Sequence, residues 1–364
     1  MIRHVVPPRL RDLIAAPPAD ANRAATAWLR PGDEGLWFSR ATWGLVALVQ
    51  ALATRLGRRP RVLIPDYFCA EPLLPLRSGL AELSFAAVDA NGCVDWAGAQ
   101  TEPDLVLLVH LFGRPAPGAD ARAFADRCGA ILLEDAAHVL GPIPGVGELG
   151  DLVLYSPHKL LGLPDGGLLV LRPRAVSLRA DLTQAVAELG RARPSPARWL
   201  LRRLLQASPA WPLVARLRHA GQADFLADPH PAAPTPPVGV SRLALRLAAF
   251  TDLTQVGARR RANADALRRT LAGLGPWQEF QPDQGDVPLY RLVLRSNAPS
   301  DAIALFGRLR AAGLPVESWP DLPIETTARG ATHALDLRRT LVMLPVHQAL
   351  EPDALARAYG KALA

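Results

Sequence analysis

Lysine is almost absent from this 364-residue chain, in which 39 of the 41 basic residues are arginine and only Lys159 and Lys361 are lysine. A sequence this averse to lysine has replaced it wherever a plain positive charge suffices, so a retained interior lysine points to a need that guanidinium cannot meet. Lys361 lies in the terminal stretch, which leaves Lys159. Cysteine is scarce too. Cys69, Cys93 and Cys128 are odd in number and widely spaced, matching neither a disulfide framework nor a zinc pattern, and read as buried thiols, with a reactive cysteine as the other reading. No run reaches the roughly 18 uninterrupted apolar residues of a membrane span. The opening MIRHVVPPRLRDLIAAPPAD has no apolar core of signal length, so the cytoplasm is the expected location. Walker loop, dinucleotide glycine fingerprint and G-x-S-x-G elbow are all missing, and ATPase, dehydrogenase and serine hydrolase readings lose their support.

What is present is a globular composition, 49% hydrophobic, 21% charged and 6% aromatic. The length is about two domains' worth at roughly 150 residues each. The net charge is +7, but the basic residues are spread along the chain rather than gathered into a nucleic-acid-binding tract.

The first half alternates β-rich runs with helical stretches: VLIPD at 62–66, LSFAAVD at 83–89, DLVLLVH at 104–110, AILLED at 130–135, LVLYS at 152–156 and GGLLVL at 166–171. This alternation predicts an α/β fold, a largely parallel sheet covered on both faces by helices. Asp66, Asp89, His110, Asp135 and Ser156 each end a run, at the carboxyl edge where open α/β sheets bind ligands. Residues 173–237 break the pattern with an Arg/Pro-rich insertion around a helix at 196–206. From Ser241 one long helical stretch runs to Gly273 or Gly275. A strand at 288–295, a helix at 301–312, a strand at 340–346 and a helix at 352–363 complete a small α+β unit. The expected division is 1–240, a large domain with the Arg/Pro-rich insertion at about 173–237, and 241–364, a linking helix with a small C-terminal domain.

Lys159 follows a predicted strand, where its amine would project from the sheet edge. It reads either as a surface lysine or as a nucleophile able to form a Schiff base. Asp135, at the end of ILLED, reads either as the N-cap of the following AAHVL or as the acid that keeps a pyridine nitrogen protonated, as pyridoxal phosphate (PLP) requires. Together the two would supply both ends of that cofactor. Ser39, Arg40, Ala41 and Thr42 precede an amphipathic helix whose N-terminus would either be capped by a hydroxyl or receive a phosphate. His110, His138 and His158 have no metal-ligand spacing, and at least one is an ordinary packed histidine.

At these residues the chain resembles the DegT/DnrJ/StrS family of fold type I PLP enzymes, the nucleotide-sugar aminotransferases. The resemblance is carried, in order, by VLIPDYFCAE (62–71), VHLFGRPA (109–116), LLEDAAHVLG (132–141), HKLLGLPDGGLLVL (158–171) and LPVHQALEPDAL (344–355). It implies a three-layer, mostly parallel sheet with a smaller C-terminal α+β domain, PLP as cofactor, and a homodimer with active sites at the subunit interface. Lys159 would carry the cofactor as a Schiff base and Asp135 would pair with its ring nitrogen. His138 would lie near the phenolic oxygen, Phe68 would stack on the ring, and Ala41, Thr42 and Ser156 would offer phosphate donors. Leu154 stands where the family usually has its phosphate-binding serine, and Ser156 is the substitute. The family's Gly-Thr pair is Arg40 and Ala41 here, and its Asn-Tyr-Arg-Met segment, whose Asn reaches the partner's phosphate, is Val240, Ser241, Arg242 and Leu243. The implied reaction moves an amino group from an amino acid, glutamate by analogy, to the keto group of a nucleotide-linked sugar, for surface polysaccharide or a glycosylated metabolite. A PLP enzyme acting on a non-sugar carbonyl or as a lyase, and a non-catalytic binding protein of the same fold, are the alternatives. The arginine-rich insertion reads as a solvated helical face, with a diphosphate substrate or an anionic membrane surface as its other readings.

Overall fold

The computed structural model describes residues 13, 16–99, 101–190, 192–207, 225–226, 239–282 and 286–364. Arg191, Arg216 and Arg218 and the prolines from 209 to 237 lie outside the described residues. Strands β1 (Glu34–Phe38), β2 (Arg61–Pro65), β3 (Glu82–Ala86), β4 (Leu105–Val109), β5 (Ile131–Ala136), β6 (Leu152–Tyr155) and β7 (Gly167–Leu171) form one sheet in the order β1-β7-β6-β5-β4-β2-β3. Pairings from β3 through β6 are parallel, and β7 runs antiparallel to both β6 and β1. A second, antiparallel sheet holds β8 (Trp277–Glu279), β9 (Arg291–Ser296) and β10 (Leu341–Pro345) in the order β10-β9-β8.

The longer helices are α1 (Ala41–Leu56), α2 (Ala119–Cys128), α3 (Arg179–Leu189), α4 (Ala197–Ala207), α5 (Arg242–Phe250), α6 (Leu253–Leu271), α7 (Pro299–Ala311), α8 (Thr332–Thr340) and α9 (Pro352–Leu363). The run LVLLV of β4 is apolar at every position because both faces are covered. Leu105 and Leu107 enter the core under α1 and α3, whereas Val106 and Leu108 enter the core under α2. The expected parallel strands are present, and β1 and β8 were not foreseen.

The predicted single helix from Ser241 onward is two helices. Thr251 is extended at φ −83° and ψ 124°, and the Asp252 carboxylate accepts the Gln255 N–H at 3.1 Å, capping a new helix. The break lets the two pieces serve different cores. Leu245 and Leu247 of α5 pack against the first sheet's core, while Leu267 and Leu271 of α6 pack with β9, β10 and α9. Among the described residues no helix is long and apolar enough to cross a membrane.

Candidate active site

β5 and β6 are parallel neighbours, with Asp135 opposite Leu154 and Ala136 opposite Tyr155, so the chain leaving each strand emerges at the same sheet edge. Pro157 starts a single helical turn, Pro157–Leu160, that carries Lys159 outward. The Lys159 Nζ lies 3.4 Å from His138 Nε2, and its charge is felt by Asp135, Cys69 and His158. Burial, reinforced by the charges of Lys159 and Arg291, drives the His138 imidazole well below the usual histidine range, so it is neutral and can accept the lysine N–H at Nε2. Asp135 is raised by burial, with one oxygen accepting the Ala137 N–H at 2.9 Å and the other receiving no hydrogen bond among the described residues.

A stack of rings fixes His138. Tyr290 lies parallel to it with centroids 4.3 Å apart, and the Arg291 guanidinium sits 4.2 Å from the centroid of the Tyr290 ring while gripping Glu317. The HLFG segment makes room for this stack. Phe112 adopts φ 57° and its carbonyl accepts the Tyr290 N–H, and a Cβ on Gly113 would meet that nitrogen at 2.8 Å.

The turn holding Lys159 is clamped from the second sheet's side. Arg260 on α6 and Gln348 both donate to the Leu160 carbonyl, at 2.9 and 3.0 Å. Arg260 is fully buried and also reaches Leu289 O; burial, with Arg291's charge nearby, pushes it down to about 9. Asn263 ties Val346, His347 and Leu350 to the same helix, which is how the LPVHQALEPDAL stretch comes to bear on a lysine far away in sequence.

Next to Lys159 the N-terminus of α1 is open. The N–H groups of Ala41 and Thr42 donate to no acceptor among the described residues, and Arg40, at the N-cap, makes no side-chain cap. Ser156 is buried, and its hydroxyl has no partner among them either. Gly166 donates to the Ser39 carbonyl at 2.8 Å and accepts from His158 Nδ1 at 2.8 Å, linking the helix start to the lysine turn. His158 is pushed down to about 3, by burial first and then by the Arg40 charge. A Cβ at Gly167 would stand 2.2 Å from Ala41 N, so only glycine lets β7 pass this closely under the helix start. These free N–H groups, a hydroxyl and an adjacent guanidinium make an anion cradle.

Not every expected residue is in this group. Phe68 is 4% exposed and lies in the core under α1. Its neighbour Cys69 faces the lysine's charge instead and contacts the Asp321 carboxylate at 3.6 Å. All three cysteines are free and partly exposed rather than buried through, and burial of the Cys69 thiol pushes it up to about 12, so it is not a reactive thiolate. His110 is a packed histidine. It accepts from Ala116 N and donates to Glu134, and although burial alone would raise that carboxylate, the His110 bond and the N–H groups of Gly147 and Gly150 hold it below the usual range. Asp66 accepts from Val88 N, and Asp89 organises its own turn. Val240 is buried in the core, and Ser241 donates its N–H to Asp165 of the same chain at 2.9 Å. A cleft of about 900 Å³ bordered by Asn91, Gln278 and Ser296 is lined by none of the expected site residues. Arg260, Tyr290, Gln348 and Cys69 are the site neighbours that sequence reasoning missed.

Residues 89–191 match the pattern of the DegT/DnrJ/EryC1/StrS aminotransferase family. A stretch of 78 residues is 40% identical to a serine hydroxymethyltransferase of Methanobrevibacter smithii, covering 20% of this chain and 18% of that one. A stretch of 142 residues is 31% identical to the erythromycin biosynthesis sensory transduction protein EryC1 of Saccharopolyspora erythraea, covering 36% and 39%. The chain thus spans between about a fifth and two fifths of the length of these curated relatives. Among solved structures, DesI in the presence of its TDP-sugar product aligns with a TM-score of 0.65 at 21% identity, over 93% of this chain and 81% of that one. A putative sugar aminotransferase of Streptococcus pneumoniae in its PLP form aligns with a TM-score of 0.64 at 14% identity, over 100% and 94%. The shared architecture is that of the PLP-dependent transferases of fold type I. The family's pattern thus falls on the stretch that carries Asp135 and Lys159, and the fold of these structures extends over almost the whole length of the chain.

Proposed function

We propose that the protein is a PLP-dependent aminotransferase that moves an amino group from an amino acid, glutamate in the first instance, to the keto group of a nucleotide-linked sugar. The observation that carries this reading is the lysine amine 3.4 Å from a neutral histidine, beside a buried carboxylate with a free oxygen and an anion cradle without an anion-accepting rival. The residues fit the cofactor: Lys159 for its carbonyl, Asp135 for its ring nitrogen, His138 near its phenolic oxygen, and Ala41, Thr42 and Ser156 for its phosphate. PLP, when bound, supplies an electron sink for the carbanion left by proton removal. Asp135 holds the proton on the ring nitrogen. With the cofactor bound, Lys159 would be the group that takes and returns the proton at the donor's α-carbon. His138, kept uncharged by burial, orients the lysine without competing for its proton, and the Tyr290 and Arg291 stack holds His138 in place. The reading places the enzyme in the cytoplasm as a homodimer whose other partners are the small-molecule donor and acceptor.

The test is the absorbance spectrum of the protein with PLP, before and after glutamate. A long-wavelength band that free PLP lacks and that glutamate shifts supports the reading, and no band sinks it. The match to a serine hydroxymethyltransferase, together with 35% identity over 111 residues to an alpha-methylserine aldolase of Variovorax paradoxus, favours one second reading, carbon–carbon bond cleavage at a PLP-bound amino acid. A band that shifts with serine or α-methylserine and releases formaldehyde, but not with glutamate, would select it.

Gly167→Ala tests the cradle. The new methyl has to displace the start of α1, which is expected to cost about 1–3 kcal/mol of stability. The displaced N–H groups should weaken PLP by at least about tenfold, or 1.4 kcal/mol. Thermal unfolding and a PLP titration read the two effects, and unaltered PLP affinity would remove the cradle from the site.

A further inference from the structure

From Gly190 to Ala223 the chain carries seven arginines and no aspartate or glutamate. Within this span the ARWLLRRLLQA sequence of α4 forms a helix whose two sides differ in kind. Trp199 packs toward the core beneath the short helix Ala21–Ala25 and α5, and the Arg203 guanidinium lies 5.5 Å over its ring while donating to Gln206. The outer side carries Arg198, Leu201, Arg202 and Leu205, at spacings that place them on one helical stripe. Leu201 is 60% and Leu205 55% exposed, and Arg198 and Arg202 make no ion pair among the described residues. Packing of α4 on the fold needs neither leucine, and two exposed leucines one turn apart between unpaired arginines are the pattern of a helix lying in a bilayer interface.

We propose that α4 docks the protein on an anionic phospholipid surface, with Leu201 and Leu205 entering the acyl boundary and Arg198 and Arg202 meeting the headgroup phosphates. Charge decides between occupants. A second copy seated face to face would set arginines on arginines, with no carboxylate in the span to neutralise them. A nucleic acid would meet the arginines but leave the leucines in water. An anionic bilayer satisfies both residue types at once. The face lies outside the lysine site, so the inference stands independently of the reaction proposed above.

The experiment is co-sedimentation of the full chain with vesicles of phosphatidylcholine alone and of phosphatidylcholine containing phosphatidylglycerol, at low and high salt. Binding to the anionic vesicles only, weakened by salt, is expected. Arg198→Gln with Arg202→Gln should lose about 25-fold in partitioning, roughly fivefold for each arginine. Leu201→Ser with Leu205→Ser should lose at least about tenfold at unchanged charge. All four side chains point outward, and an unchanged circular-dichroism melt verifies the fold of each variant. Absence of wild-type binding, or binding that survives both pairs of substitutions, overturns the proposal. So does a leucine pair that leaves vesicle binding intact but lowers the oligomeric state in ultracentrifugation, which would give the face to a second copy.

Discussion

Lys159→Arg is expected to abolish amino-group transfer, by roughly 10³–10⁴-fold, while leaving the fold intact. Arginine is the informative replacement because the chain uses it for 39 of its 41 basic positions. It keeps the positive charge that Asp135, Cys69 and His158 experience, and Lys159 is exposed, so the longer side chain has room. What it removes is an amine that can lose its proton, bond covalently to a carbonyl and carry a proton onward, since guanidinium stays protonated in proteins. Two measurements separate the roles. Borohydride treatment of the wild type with PLP should fix the cofactor's mass on the peptide holding Lys159 and fix nothing in the variant. Release of 2-oxoglutarate from glutamate should fall to background. A variant that keeps more than a tenth of the wild-type rate would return Lys159 to an ordinary surface cation.

Lys159 was legible because its rarity made it conspicuous, and Asp135 because it closes an apolar run at a sheet edge. The residues that support them were not legible. Arg260 is one of 39 arginines, and only its complete burial against the Leu160 carbonyl sets it apart. Gln348 and Tyr290 reach the site from the second sheet's side, across separations of 188 and about 150 residues that local patterns do not encode. The side to which Phe68 turns is set beyond the end of β2, where strand alternation no longer applies. Val62 and Ile64 of β2 face the α1 core and Phe68, beyond the strand's end at Pro65, joins the same core, while Cys69 feels the lysine's charge. Among the elements, the parallel strands were legible from runs apolar on both faces. The five-residue β1 has no such run, and its place is fixed by pairing with β7 from Glu34–Leu171 to Phe38–Gly167. The helix break at Thr251 was written in the sequence as a capping aspartate, but the apolar periodicity continuing on either side masked it.

Asp135→Asn should separate activity from stability, lowering the first by about 10²–10³-fold while raising the second in the cofactor-free protein. Asparagine retains an oxygen for the Ala137 N–H, so the local turn survives. It cannot hold a proton on a ring nitrogen by opposite charge, and the electron sink is lost. Asp135→Glu keeps the charge and should lose far less. The stability effect follows from the direction of the carboxyl's shift. Burial raises the folded-state pKa above the ordinary 3.8, so between the two values the unfolded chain has already released the proton that the folded chain still holds. Stability of the wild type is therefore eroded as pH rises from about 4 through the raised folded value, and the erosion persists at neutral pH. The asparagine variant has no such term, so its advantage in melting temperature should open over that window and level off above it. Melts of both proteins without PLP across pH 4 to 8, set beside glutamate turnover with PLP, test the two halves together. Equal activity losses for Asn and Glu would remove the charge from the mechanism. A variant that melts below the wild type at neutral pH would mean that the carboxylate is held by the fold for the fold's own sake rather than kept, at a cost in stability, for a cationic partner.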